Sequence, residues 1–316
     1  MINQLRLPQQ QTLTRTAIDS YVCLAVGLLA LSFAPIFVRL SAGELSPLGI
    51  IFNRFWMATI VLGILHEIPD SNQSQSDLEK QVKNGKTVIL LLLLGTFFSL
   101  GLILWAWSLT QTTIAKSTIM SSLTPGFTAL GWWLIWGKRP DKRFLIGMGV
   151  TMVGVMSLGV SDFCLDSGNI EGDAIALLSA VLFSAYPLIL EQLQKELNSK
   201  TILMWCCLMG TVFIFSILLI TGERLFPVSW NGWLGVISLA LLCQVLGLVL
   251  IAECMKQLSA VFVSVSYLFL PVLSSIYGWV FFAESLSFYN WLGFALVLLG
   301  IYVAKKSQTI VKTVDG

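Results

Sequence analysis

The second half of this chain repeats the first, and the repeat runs through apolar stretches that belong in a membrane. A shift of 146 positions lays Gly101–Gly154 on Gly247–Gly300 without a gap. Gln111 meets Gln257, Pro125 meets Pro271, Trp133 meets Trp279, Gly147 meets Gly293 and Gly154 meets Gly300. Leucine matched to leucine carries little weight in so apolar a chain; matched Pro, Trp, Gln and spaced Gly carry more. Two related halves in one apolar chain point to alternating access, in which repeats rock about a central site.

Of the 316 residues, 56% are hydrophobic and 11% are charged, whereas a soluble domain carries about 25% charged residues. The polar surface is too small to cover two soluble domains of this total length. Ten apolar stretches lie near the roughly 20 residues that a bilayer requires: about 21–40, 47–66, 87–109, 113–137, 144–161, 172–190, 201–221, 231–255, 259–283 and 287–304. Hydrocarbon offers the backbone no outside partner, so all ten are expected to be helices. The expected architecture is an all-α integral membrane protein of ten transmembrane helices in two five-helix repeats. Its divisions are a tail over 1–20, a first repeat over 21–161, a linker over 162–171, a second repeat over 172–305 and a tail over 306–316.

The first nineteen residues are polar, with Arg6 and Arg15 among Gln and Thr, and precede a full-length span with no small-residue cleavage site. This pattern predicts a cytosolic tail and an uncleaved first helix rather than a signal peptide. The stretch from Pro69 to Lys86 reads as a loop, and residues 162–173 as a second polar loop. With the N-terminus inside, fifteen of the nineteen Lys and Arg residues fall on the cytosolic side, as the positive-inside rule requires. They include Lys138, Arg139, Lys142 and Arg143, and Lys305, Lys306 and Lys312 near the end. Asp162, Asp166, Glu171 and Asp173 then lie outside. Five helices is an odd number, so the second repeat is expected to be inverted. The expected place is a bacterial plasma membrane, with both termini cytosolic.

Six cysteines occur, at 23, 164, 206, 207, 243 and 254. Their spacing indicates no disulfide framework. His66 is the one histidine, and a lone histidine at a span end reads as structural. Without a His, Cys and carboxylate cluster, no metal site is expected. No cofactor and no nucleic-acid partner is expected; the expected partners are a small-molecule solute, membrane lipid and, as an open possibility, a second copy of the chain.

Polar residues inside the spans are the strongest clues to a site, because a charge at the bilayer centre costs roughly 2.5–3.5 kcal/mol on insertion scales. Arg54 lies about seven residues into the second span, or roughly 10 Å deep. It either faces a cavity and attracts an anionic group, or snorkels outward or pairs with Glu44. Lys116, nearer a span end, reads as snorkelling. Ser117, Ser121, Thr124 and Thr128 share one face of a helix by spacing, and the repeat mate carries Ser264, Tyr267, Pro271 and Ser274. The two stripes either line one path or let helices approach and hydrogen-bond. A shift of 152 pairs Ser32 with Ser184, Pro35 with Pro187, and Arg39 with Glu191. The last pair reads as span-end charges, with a gate-like ion pair as the alternative. Gln244, near the centre of the eighth span, needs a partner and is a candidate for substrate contact. Pro35, Pro125, Pro187 and Pro271 each lack an amide donor and are candidates for helix breaks. Trp56, Trp230, Trp233 and Trp291 fit an interfacial belt, and Trp105 and Trp107 read as belt or packing.

The stretches SLTPGFTALGWWLIWGKRPDKRFLIGMGVTMVGV and LFLPVLSSIYGWVFFAESLSFYNWLGFALVLLGI resemble the EamA-like branch of the drug/metabolite transporter superfamily. The second copy has Ala283-Glu284 where the family usually has Gly-Glu, and the first departs from it with Gly137-Lys138. APIFVRL and FNRFWMA are similar to the family's first two helices, with Arg54 at a position where Arg is common. The resemblance runs from about 21 to 305. It implies ten helices in two inverted repeats, a central cavity, and carriage of small metabolites, often amino acids and usually for export. No G-x-x-x-x-G-K-[ST] motif occurs, which argues against ATP hydrolysis by the chain. A polytopic membrane enzyme would need clustered His, Asp or Glu at an interface. A membrane-embedded interaction protein would leave the paired prolines unexplained.

The charge asymmetry sets a topology test. In a background lacking other cysteines, Gly168→Cys is expected to react with an impermeant thiol reagent in intact cells, and Pro140→Cys only after lysis. The reverse pattern would refute the orientation.

Overall fold

The structure is a computed structural model that describes residues 6–67, 85–112, 114–137, 139–158, 170–282 and 286–307. The loop expected over 69–86 falls largely outside these residues, as do Lys138, Cys164, Glu284 and Lys312. Every described element is helical. The first half holds α1 (Arg6–Ser32), α2 (Ala34–Ser41), α3 (Pro47–Glu67), α4 (Gly85–Gln111), α5 (Ile114–Ser121), α6 (Thr124–Trp136) and α7 (Lys142–Leu158). The second holds α8 (Ile170–Leu193), α9 (Ser199–Thr221), α10 (Trp230–Ser238), a π segment (Leu239–Gly247) and α11 (Leu248–Cys254). It ends with α12 (Ala260–Ser266), a 3₁₀ turn (Tyr267–Phe269), α13 (Leu270–Phe282) and α14 (Phe288–Lys305).

Among the described residues, eight helical stretches are long and apolar enough to cross a membrane. They are Asp19–Ser41, Pro47–His66, Gly85–Ser108, Ile170–Leu193, Ser199–Thr221, Trp230–Cys254, Ala260–Phe281 and Phe288–Lys305. Large apolar side chains such as Leu134, Ile220 and Val153 point outward, a cost in water but a match to lipid tails. The chain is an integral, multi-pass membrane protein. The fourth and fifth expected spans correspond to α5–α6, interrupted at Ser122–Leu123, and to the 17 residues of α7.

The closest helix contact joins equivalent elements of the two halves. A Cβ added at Gly147 would lie 2.5 Å from Ala304 N and 2.6 Å from Gly300 O. One added at Gly154 would lie 2.8 Å from Val297 N and 3.0 Å from Gly293 O. Only glycine lets α7 and α14 approach so closely, backbone to backbone. Gly147 faces Gly300 while Gly154 faces Gly293, so the two helices run antiparallel. Other contacts recur in pairs: α8 lies along α4 as α1 lies along the π segment and α11, and α8 meets α6 as α1 meets α13. The pair α3 and α9 meet each other directly.

The ends of the helices are tied by carboxylates. Glu44, between α2 and α3, accepts the amides of Val228 at 2.7 Å and Ser229 at 3.0 Å, and the Ser229 hydroxyl. Ser229 is itself the N-cap of α10, accepting from Gly232 N at 3.1 Å. The hydrogen bonds from Ser229 and Val228 hold the Glu44 pKa below its ordinary value of 4.5. The tie is therefore intact above that value and is lost as pH falls through the depressed one. Glu196 stands in the equivalent turn of the second half and accepts from Thr87 at the start of α4. Leu45 and Leu197, the residues that follow, are both buried. Glu191 accepts from Ala260 N at 3.0 Å and caps α12, which is a structural task for that charge.

Several expectations are corrected. The helix that begins the chain starts at Arg6, ahead of the span. Glu171 and Asp173 are not in a loop but in the first turn of α8, where carboxylates complement the helix dipole. Asp173 accepts from Thr112 at 2.6 Å. Pro187 does not break α8, which runs unbroken from Ile170 to Leu193. Pro35 and Pro125 sit in the first turns of α2 and α6, after breaks at Phe33 and at Ser122–Leu123, and Pro271 follows the 3₁₀ turn. Gly137 and Gly222, both at φ 67°, close α6 and α9 in the left-handed conformation that glycine adopts without strain.

The α7–α14 contact yields a paired test. Gly147→Ala places a methyl against backbone and is expected to cost about 1–3 kcal/mol. Gly149→Ala has nothing within 4 Å of its new Cβ and is expected to be neutral or stabilising. Thermal melting of the detergent-purified variants measures the difference.

Candidate functional site: a cavity between the halves

Both halves contribute to a cavity of about 380 Å³. The first half supplies Leu31 and Ala34, Arg54 from α3, Phe98, Leu102 and Trp105 from α4, and Ser121, Ser122, Thr124 and Pro125 around the α5–α6 turn. The second supplies Phe183, Tyr186 and Pro187 from α8, Leu248, Ser264, and Tyr267, Leu268, Leu270 and Pro271 around the 3₁₀ turn. The volume suits a small organic molecule. The Phe98 ring stands 4.8 Å from that of Tyr186 and 6.1 Å from that of Phe183, forming an aromatic wall.

Arg54 is held in this wall by its neighbours. Its Nε donates to Gln244 Oε1, and Gln244 Nε2 donates to Cys207 Sγ at 3.2 Å. Gln244 belongs to the π segment, a widened helical turn of a kind that recurs at functional sites. Asn53 fixes the same stretch of α3, donating to Gly49 O at 2.8 Å and Leu225 O at 2.6 Å. The alternative pairing of Arg54 with Glu44 gives way to another arrangement, in which Glu44 is occupied by Val228 and Ser229. Arg54 does not snorkel; it lines the cavity.

The stripes divide. Ser121, Thr124, Ser264 and Tyr267 line the cavity. Ser117 is fully buried and shares a hydrogen bond of 2.9 Å with Ser108. Thr128 is also buried and donates to Thr124 O at 3.0 Å, with Ser184 O at 3.4 Å. The turn between α5 and α6 interrupts the helical phase, so residues that share a face by spacing do not share one in space. Ser274 donates to Ser32 O at 3.2 Å, a contact between α13 and α1. Ser32 and Ser184 donate to carbonyls of their own helices, Leu29 and Val181. Gln244 acts through Arg54 rather than on the cavity surface. Lys116 has a side chain outside the described residues.

The sequence missed Tyr186, Phe98 and Phe183, and it took Trp105 for belt or packing. The hydroxyls of Tyr186 and Ser121 are buried without a hydrogen-bond partner among the described residues. A signal for Tyr186 existed: it precedes Pro187, and its repeat mate Ala34 precedes Pro35. No group of three or more His, Cys, Asp or Glu able to hold a metal occurs among the described residues.

A helical membrane protein whose two halves enclose an apolar cavity with a few convergent polar groups has the form of a solute carrier. The sequence model of the EamA-like transporter family matches residues 19–160 and 170–305, one match for each half. The chain belongs to the EamA-like transporter family and is a membrane transporter of small solutes. It is 23% identical over 299 residues to a protein of Archaeoglobus fulgidus described as an uncharacterized transporter, covering 92% of this chain and 98% of that one. It also shares a fold with a crystal structure at a TM-score of 0.74 and 16% identity, over 92% of this chain and 96% of the other.

Two bulky substitutions separate cavity from packing. Ser121→Trp is expected to fill the cavity and abolish flux with normal yield of folded protein. Ser274→Trp is expected instead to lower the folded yield, because it wedges α13 from α1. Size-exclusion profiles and flux on equal amounts of protein check both.

Proposed function

We propose that the chain is a secondary transporter that moves a small organic metabolite by alternating access, with an anionic group of the solute held at Arg54. The carrying observation is the cavity between the halves, with a guanidinium set in a mostly apolar wall. The polar hydroxyls of Tyr186 and Ser121 without protein partners support a ligand there. Ten spans in two inverted five-helix repeats are supported by the antiparallel Gly147–Gly300 and Gly154–Gly293 contacts. These two contacts exchange under the shift of 146. Equivalent helices run antiparallel when each repeat holds an odd number of spans. The two repeats occupy 21–161 and 172–305 in this scheme, with both termini cytosolic by the distribution of Lys and Arg. Export across a bacterial plasma membrane is the direction that fits the family resemblance.

The test is flux by the purified chain in liposomes preloaded with a cell metabolite extract, read as counterflow by mass spectrometry. At least one small solute is expected to exchange above protein-free vesicles. Arg54→Ala is expected to lower that exchange by about 10–100-fold, the worth of a charge-assisted hydrogen bond. Arg54→Lys keeps charge but not the planar fork, so its rescue is expected to be partial. Near-normal exchange by well-folded Arg54→Ala would overturn the role of this residue.

A further inference from the structure

Among the described residues, the cavity carries a cation and no counter-charge. Arg54 contributes the guanidinium, and no Asp or Glu is among the lining residues. Its hydrogen bond among the described residues is to a neutral amide, the Gln244 side chain. That bond uses the Nε–H and fixes the plane of the group, leaving the two terminal nitrogens as an end-on fork. A fork of this kind matches the two oxygens of a carboxylate or sulfonate. The hydroxyls of Tyr186 and Ser121 supply further donors beside it. The rest of the wall is mostly apolar, with Phe98, Leu102, Trp105, Phe183, Leu31 and Leu248 among its residues, and takes further hydroxyls from Ser122, Thr124, Ser264 and Tyr267. The repeat does not restore balance elsewhere: a shift of 152 places Cys206 opposite Arg54, so the charge belongs to one half alone.

We propose that the site selects organic monoanions with an apolar or aromatic body, and discriminates against zwitterions and cations of the same shape. This rests on the transporter role proposed above and narrows it. An acidic head meets the fork, and an apolar body meets the aromatic wall. An ammonium on the same body enters a cavity that offers no carboxylate and already holds a positive charge. Beside the Arg54 guanidinium this ammonium is repelled and finds no carboxylate partner.

Three probes share one phenyl body and differ in charge: 3-phenylpropionate, phenylalanine and phenethylamine. Binding to the detergent-purified protein at pH 7 is measured by calorimetry, with flux of 3-phenylpropanesulfonate into liposomes as a probe that does not leak through lipid. The anions are expected to bind at least about tenfold tighter than phenylalanine, and phenethylamine not to bind. Arg54→Gln is expected to remove the preference. Tyr186→Phe keeps the ring and the fold, and is expected to weaken the anions a fewfold while leaving phenylalanine unchanged. Equal or tighter binding of phenylalanine overturns the proposal, as does an anion preference that survives Arg54→Gln in folded protein. If none of the three binds, the solute exchanged from cell extract decides: an anion supports the proposal and a zwitterion overturns it. Absence of any exchange from extract defeats the transporter role itself and is distinguishable from both.

Discussion

Hydrocarbon offers no hydrogen-bond partner to a peptide group, and the rest of this molecule follows from that constraint. Each crossing segment closes its backbone bonds on itself, so the elements are helices and the polar side chains that remain must find partners in the interior. Those partners are few, and the polar groups accordingly gather. Arg54 leans on Gln244, Gln244 on Cys207, and Asn53 ties α3 to the turn at Leu225. A guanidinium at this depth is costly, and hydrogen-bonding partners lower that cost.

The two halves are alike in backbone and unlike in chemistry. Glycines at matched positions bring α7 and α14 together, and matched turns place Glu44 and Glu196 over the starts of helices in the opposite half. The cavity lies where the halves meet, but its charge comes from one side. Arg54 has Cys206 as its repeat mate, and Gln244 has Phe98. In the mechanism we propose, this symmetric scaffold with an asymmetric lining lets two related halves move against each other while only one presents the fork to the solute.

Spacing along a helix reports faces only while the helix continues. Ser264, Tyr267 and Pro271 kept a common face and reached the cavity together. Ser117 and Thr128 did not, because the turn at Ser122–Leu123 shifts the phase between α5 and α6 and sends both into packing contacts. Pro187 had the same chemistry as Pro125, yet α8 stays whole around it while α6 starts anew. Tyr186 and Phe98 carried no polarity or repeat signal strong enough to stand out among nineteen phenylalanines and six tyrosines.

Composition and apolar length determined the membrane and the helices, because these depend on the solvent and on local backbone closure, while the resemblance of the two proline-bearing stretches pointed to the family. The cost of a buried charge also singled out Arg54 and Gln244 as residues requiring a partner. The tertiary structure alone decided that they partner each other, that Glu44 is committed to Ser229, and that an aromatic wall completes the cavity. These outcomes depend on which helices touch and at what phase, and such contacts join residues up to 242 positions apart, beyond the reach of any local pattern.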